Sequence, residues 1–419
     1  SSVNFQKNQN PRLVIFPIAF FGSLLMLSGC AEPQTQESTQ PQMQAVDENG
    51  APIFQVDPFW PGPLPNRWSM QQVTGIYVDH MDIVWFLNRP NGAEGDEIGG
   101  GEELPYRMAC CVAGPEVVAM DQDANVVHAW GNAEHHPRWP RSLQTVIADR
   151  DGYVWVGGLA PGDSILKFTR EGEFVWDFDH RPPEGVRPEE DNTATETLDQ
   201  KGRFQLDQEA REIYILSWKR VLVYDMDTGD FKRGWGGHGM PLSEITNDPI
   251  PPYEWDGTRP PDEANFVPAL HFIEISNDGF VYVGERGQNR MQVFQKDGTW
   301  VRDIYVAEGT PAERLGRTQC GGVGTRKELP VCGTMYKMVI SKDSEQKFLY
   351  VADTANSSVW IVDRQSGETL GSFGGNGRYA GQLHWINAIA TDSDGNIYTG
   401  EVEHAKRIQK FMPVMAAGG

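Results

Sequence analysis

From about residue 52 onward, apolar and polar positions alternate with a period of two in short runs, each bounded by Gly, Asp, Asn or Pro. This is the pattern of half-buried strands joined by tight turns; amphipathic helices would repeat every three or four residues. One run recurs as GIYVD (75–79), TVIAD (145–149), RFQLD (203–207), FIEIS (272–276), KMVIS (337–341) and NAIATD (387–392). A second, carrying an aromatic residue, follows at 84–88, 154–158, 213–217, 281–285, 349–353 and 397–401. A third occupies 117–121, 165–169, 221–225, 291–295, 359–363 and 408–411. The fourth is found as VVHAWG, FVWDFD, FKRGWGG, WVRDIY and LGSFGG, one copy short of the others.

Four strands linked by Asp-Gly, Asp-Thr-Gly and Lys-Asp-Gly turns make a four-stranded antiparallel sheet, and sheets repeated in this way are propeller blades. PIFQVD (52–57) can supply the missing copy. A strand from the N-terminus that completes the C-terminal blade closes the ring and leaves no unpaired sheet edge. The chain is therefore read as all-β, a six-bladed β-propeller over 52–413, with 414–419 as a short tail. The abundant Gly (45) and Pro (28) suit the many turns this requires.

The N-terminal segment departs from this pattern. Before Cys30 the only charges are Lys7 and Arg12, and an apolar run spans 13–27. It ends in Leu27-Ser28-Gly29-Cys30-Ala31, which resembles the cleavage site of lipoprotein signal peptides. Residues 1–29 are read as a signal peptide, Cys30 as the lipidated residue and 30–51 as a flexible tether, since 31–50 holds almost no large apolar group. The expected location is the bacterial cell envelope, periplasmic or cell-surface, with membrane contact through the lipid alone. Export favours disulfides; Cys110, Cys111, Cys320 and Cys332 allow three pairings, with Cys320 and Cys332 enclosing a Gly-rich loop. Acidic residues outnumber basic ones by 58 to 36, a formal charge of −22, which argues against nucleic-acid binding through a basic face.

Asn289-Arg290-Met291-Gln292-Val293-Phe294, the looser Lys406-Arg407-Ile408-Gln409-Lys410-Phe411, and the glycine pairs Gly236-Gly237 and Gly374-Gly375 resemble NHL repeats. The resemblance implies an NHL-type six-bladed propeller; function has to come from a site. The long insertions, 89–116, 179–201, 236–268 and 304–334, all fall on one face, and loops on a rigid scaffold are where binding resides. On that face the second strands end in Glu285, Asp353, Glu401 and Asn88, with Arg89 and Arg286 adjacent. Two readings stay open for this set: a hard cation such as calcium, or, as the NHL resemblance implies, acids that receive turn N–H groups and pair with a nearby Arg.

The chain is also similar to bacterial relatives of peptidyl-α-hydroxyglycine α-amidating lyase, which implies a catalytic zinc held by histidines that begin the innermost strands. The corresponding positions here are Thr74, Gln144, His271, Tyr336 and Asn387, of which only His271 could bind zinc as the family does. His384, or His128, His135, His136 and His238 from the loops, follow no ligand spacing. The candidate ligand-binding residues are His271, Gln144, Tyr336, Asn387, Arg89 and Arg286. The function read from the sequence is a monomeric binding or scaffolding module for a peptide, glycan or protein on the loop-rich face. The alternative is a metal-dependent lyase or hydrolase with an altered metal site, and calcium and zinc are the cofactors put forward.

Overall fold

The computed structural model describes residues 44–92, 110–183, 186, 191–198, 200–250, 253–254, 263–267, 270–307, 319–320 and 335–416. Cys30, Cys332 and the expected signal peptide lie outside these residues, so neither the lipid anchor nor a Cys320–Cys332 pair is described. Six four-stranded antiparallel sheets are arranged as a six-bladed β-propeller. Blade one comprises Gln72–Val78, Val84–Arg89, Val117–Met120 and Val126–Trp130; blade two Leu143–Ala148, Tyr153–Gly158, Ile165–Thr169 and Phe174–Asp177. Blade three comprises Phe204–Asp207, Glu212–Ser217, Arg220–Asp225 and Phe231–Trp235; blade four Leu270–Ile275, Phe280–Glu285, Arg290–Gln295 and Trp300–Tyr305. Blade five comprises Met335–Ile340, Phe348–Asp353, Ser358–Asp363 and Thr369–Gly374. Blade six takes Ile386–Thr391, Ile397–Glu401 and Ile408–Pro413 from the C-terminus and its outer strand, Phe54–Asp57, from the N-terminus.

That outer strand runs antiparallel to the last one, with Phe54 opposite Pro413 and Val56 opposite Phe411. Blades six and one are also tied at the short turns, where the Asp82 carboxylate accepts both the backbone N–H (2.9 Å) and the hydroxyl (2.5 Å) of Ser393. Backbone pairing is found before residue 52. Gln44 bridges Met415 and Val46 bridges Pro52, while the Asp47 carboxylate accepts N–H groups of Asn49 and Ala51 at 2.9 Å each. A capped turn of this kind needs no large apolar side chain, which is why composition alone assigned 44–51 to the tether.

In three blades the aromatic residue of the second strand has the same use. Trp85 and Trp155 donate their indole N–H to Asp79 (2.9 Å) and Asp149 (2.8 Å), and the Tyr398 hydroxyl donates to Asp392 (2.8 Å). Those acids close the first hairpin turn, so a buried ring and a turn are satisfied by one contact. The same acids and their neighbours link blades: Arg170 of blade two reaches Asp79 of blade one at 2.7 Å, and Arg364 of blade five reaches Asp278 of blade four at 2.9 Å. Apolar faces of successive blades pack together between these links, as where Trp85 and Leu87 meet Val146, Val154 and Phe168.

Candidate functional site

The innermost strands of all six blades line one central channel, with about 780 Å³ of space including its mouth. Its walls carry Thr74, Gln144, Arg203, His271, Glu274, Tyr336, Lys337 and Asn387 among apolar residues. Four of the six residues named as ligand candidates thus converge there. They do so for a common reason: each of those innermost strands breaks register at that residue. Leu143 pairs with Gly158 and Thr145 with Gly157, which leaves Gln144 as the extra residue; His271, Tyr336 and Asn387 are extra in the same way, and the Thr74–Gly75 step is irregular too. A bulge takes a residue out of the ladder and re-aims its side chain, here at the channel mouth.

The bulged residues hold one another. Gln144 Nε2 donates to Asn387 Oδ1 at 3.0 Å, and Thr74 Oγ1 donates to the Leu143 carbonyl at 2.9 Å. His271 Nδ1 lies 2.6 Å from the Tyr336 carbonyl oxygen and must carry the proton, which leaves Nε2 as the acceptor nitrogen. Burial, followed by the fields of Arg203 and Arg286, pushes the His271 pKa well below its ordinary value, so the ring is neutral. The Tyr336 ring packs 4.4 Å from His271 and 4.7 Å beneath the Arg286 guanidinium. Burial raises the Tyr336 pKa against the pull of Arg286 and a hydrogen bond from Trp385, so the phenol keeps its proton. Deeper in the channel, Glu274 bridges Lys337 at 2.7 Å and accepts from Gln205 at 2.7 Å.

Arg89 is not brought to the channel. Its guanidinium donates to Ser142 Oγ at 2.9 Å and to the Leu143 carbonyl, tying blade one to blade two, and burial pulls its pKa down to about 10.

The four second-strand ends are not brought together either; each is fully buried inside its own blade. Both oxygens of Glu285 accept from Arg290 (2.7 and 2.8 Å), and they also take Gln292 Nε2 (3.1 Å) and the Val267 N–H (2.7 Å). Glu401 repeats the scheme with Arg407 (2.9 Å), Gln409 (2.6 Å) and the His384 N–H (2.8 Å). Asn88 accepts the Gln71 N–H at 2.7 Å, and Asp353 accepts Trp360 Nε1 at 2.9 Å and Asn356 Nδ2 at 2.7 Å. The calcium reading therefore gives way to the latch reading: the oxygens a cation would need are already occupied. Arg290 and Gln292, and Arg407 and Gln409, of the two NHL-like stretches are the donors of that latch.

Among the described residues the loop histidines are not gathered into a zinc site either. His128 stacks on Trp85, His136 stacks on Phe174, His135 bonds the Gly172 carbonyl at 2.7 Å and His238 bonds Asp303 at 3.0 Å. Among the described residues no group of three or more His, Cys, Asp or Glu side chains is placed to hold a metal ion. The sulfurs of the adjacent Cys110 and Cys111 are bonded to each other, one of the arrangements left open by the cysteine spacing.

Arg203 was not singled out from the sequence. It immediately precedes the innermost strand of blade three and lines the channel. Burial and the neighbouring Arg286 lower its pKa to about 10, and no acid is among the groups acting on it.

No family model matches the chain, and no curated protein matches it. Among solved structures, it is similar to virginiamycin B lyase from Staphylococcus aureus, with 11% identity, a TM-score of 0.44, and 87% of this chain and 90% of that one covered. It is also similar to a streptogramin B lyase, with 11% identity, a TM-score of 0.45, and 85% and 97% covered. A protein of unknown function from Bacteroides thetaiotaomicron matches at 10% identity and a TM-score of 0.47, with 88% and 75% covered. Likeness at this level concerns the fold alone.

Proposed function

We propose that this chain is an NHL-type binding propeller of the bacterial cell envelope, held by a lipid on Cys30, which receives a polar group of a peptide, glycan or protein at its channel mouth. The observation that supports this reading most is the shared bulge: Gln144, His271, Tyr336 and Asn387 are each displaced from the ladder of a different blade and meet at one channel. A rigid concave site with a few convergent polar groups is what a small-ligand pocket requires. The test is a peptide and glycan array probed with the wild-type chain, His271→Ala, Tyr336→Phe and Asp151→Asn. The first two variants should weaken binding by about 1–3 kcal/mol each through lost hydrogen bonds. Asp151→Asn, on the short-turn face, should leave it unchanged. A ligand sensitive only to Asp151→Asn would place the functional face on the other side. Stoichiometric zinc in the purified protein, together with glyoxylate release from an α-hydroxyglycine peptide, would replace the binding reading by a lyase.

A further inference from the structure

Most charges along the channel are compensated or reach solvent. Lys337 is paired with Glu274, Lys342 is exposed and His271 is neutral. Arg203 differs. Among the described residues its guanidinium has no hydrogen bond and no ion pair, and its Nε is buried without a partner. A second guanidinium, Arg286, lies close enough to act on it, and the phenol of Tyr336 and the ring of His271 feel both cations. A half-buried cation that is not paired inside the protein has lost part of its hydration and keeps donors open for a countercharge from outside.

We propose that Arg203 is the anchor of a carboxylate site, so that the ligand of this channel carries a free carboxylate at the end that enters. The proposal rests on the binding reading above and specifies the ligand's chemical class. The planar guanidinium fork offers two parallel N–H donors that match a carboxylate's two oxygens. The protonated Tyr336 hydroxyl adds a neutral donor. The remaining polar lining favours a single negative charge over a phosphate dianion. Gln144 is bound to Asn387, Lys337 is held by Glu274, and the His271 Nδ1–H is given to the Tyr336 carbonyl. Such a ligand also resolves an oddity of charge: a protein of net charge −22 would repel anions at large and admit them only where an uncompensated cation lines the way.

The experiment uses the full chain and four probes: acetate, N-acetylalanine, N-acetylalanine carboxamide and inorganic phosphate. Binding is read by calorimetry and by the NMR shift of the His271 ring proton, assigned through its loss in His271→Asn. N-acetylalanine should bind about ten- to a hundredfold more tightly than its carboxamide, the difference expected of charge-assisted hydrogen bonds. Acetate should compete with it, and phosphate should be the weaker anion. Arg203→Gln should bring N-acetylalanine down to the carboxamide's level, and Arg203→Lys should fall between. Arg211→Gln, which removes the same charge from the opposite face, should change nothing. The Tm of Arg203→Met supplies a second readout: it should hold or rise, because a half-buried charge without a partner is removed.

Equal binding of acid and amide, a preference for phosphate, or affinity retained in Arg203→Gln would each overturn the proposal. So would a clear fall in Tm for Arg203→Met, which would mean that the guanidinium is held within the protein. If array ligands depend on His271 while the carboxylates show no preference, the binding reading stands and the carboxylate assignment fails. If array ligands do not depend on His271 and the carboxylates show no preference over the amide, both fail.

Discussion

Glu285 and Arg290 form a closed ion pair with neither side chain exposed, the guanidinium meeting both carboxylate oxygens at 2.7 and 2.8 Å. The four residues between them in sequence are the turn that joins the second and third strands of blade four. A turn at this point must also accept the incoming chain, and the Val267 N–H does so on the same carboxylate. One acid therefore fixes the hairpin, the Arg and Gln of the third strand, and the arriving loop.

Removing one member of such a pair leaves the other charged and buried. Glu285→Ala should lower stability by about 3–5 kcal/mol, and a Glu285→Leu/Arg290→Met double variant should lose less than the single change. Urea denaturation checks this; a double variant that is worse than Glu285→Ala would show that the pair itself, and not the cost of the buried unpaired remnant, sets the loss.

Ring closure gives a second prediction. Phe54 packs 5.0 Å from Phe373 and 5.5 Å from Tyr350, and Val56 lies opposite Phe411. Deleting 51–57 strips blade six of its outer strand and leaves an apolar face and an open edge. A loss of several kcal/mol and aggregation should follow. An unchanged melting temperature would mean that the strand is ornamental to the ring.

The propeller was legible because its cause is local. Every blade repeats the same alternation with an aromatic residue in its second strand, and in three blades that residue, Trp85, Trp155 or Tyr398, has a turn acid six residues upstream. Even the N-terminal strand announced itself, by a missing copy. The site was only half legible. His271, Gln144, Tyr336 and Asn387 could be named by their place in the repeat, but the bulges that aim them depend on how strands meet, which alternation does not record. Arg89 stood in an equally promising place and is spent on the next blade. Arg203 looked like the first residue of an ordinary strand; what distinguishes it is the lack of an acid nearby, and nothing in the local sequence reports a missing neighbour.

The neutral state of His271 makes stability depend on pH in a definite direction. Its pKa is depressed in the folded chain, so below the unfolded value of about 6.5 the unfolded state binds the extra proton and gains on the native one. The contribution is complete above that pH and is lost progressively as pH falls towards the folded value. The slope is at most about 1.4 kcal/mol per pH unit. Comparison of the wild-type chain with His271→Asn between neutral and mildly acidic pH isolates it. The stability of the wild type relative to His271→Asn should therefore fall as pH falls; a relative stability that stays constant or rises as pH falls would contradict the neutral ring.

The last prediction concerns how closely the blades approach behind the site. A side chain built at Gly202 would fall on the carbonyl carbon and oxygen of Gly158, so the obstacle is backbone of the neighbouring blade and not a side chain that can turn away. The Gly202 carbonyl in turn accepts the Thr145 hydroxyl at 2.6 Å, and the next residue is Arg203. Gly202→Ala must therefore separate blades two and three at the channel wall, with an expected loss of about 1–3 kcal/mol. The same displacement moves the guanidinium, so carboxylate affinity should fall in this variant although no ligand-contacting group has been changed. Gly62→Ala, where an added methyl meets nothing within 4 Å, is the comparison and should stay within about 0.5 kcal/mol of wild type. If Gly202→Ala is as stable as Gly62→Ala, the two blades are not in contact there, and the rigidity assumed for the Arg203 side of the channel is lost with that contact.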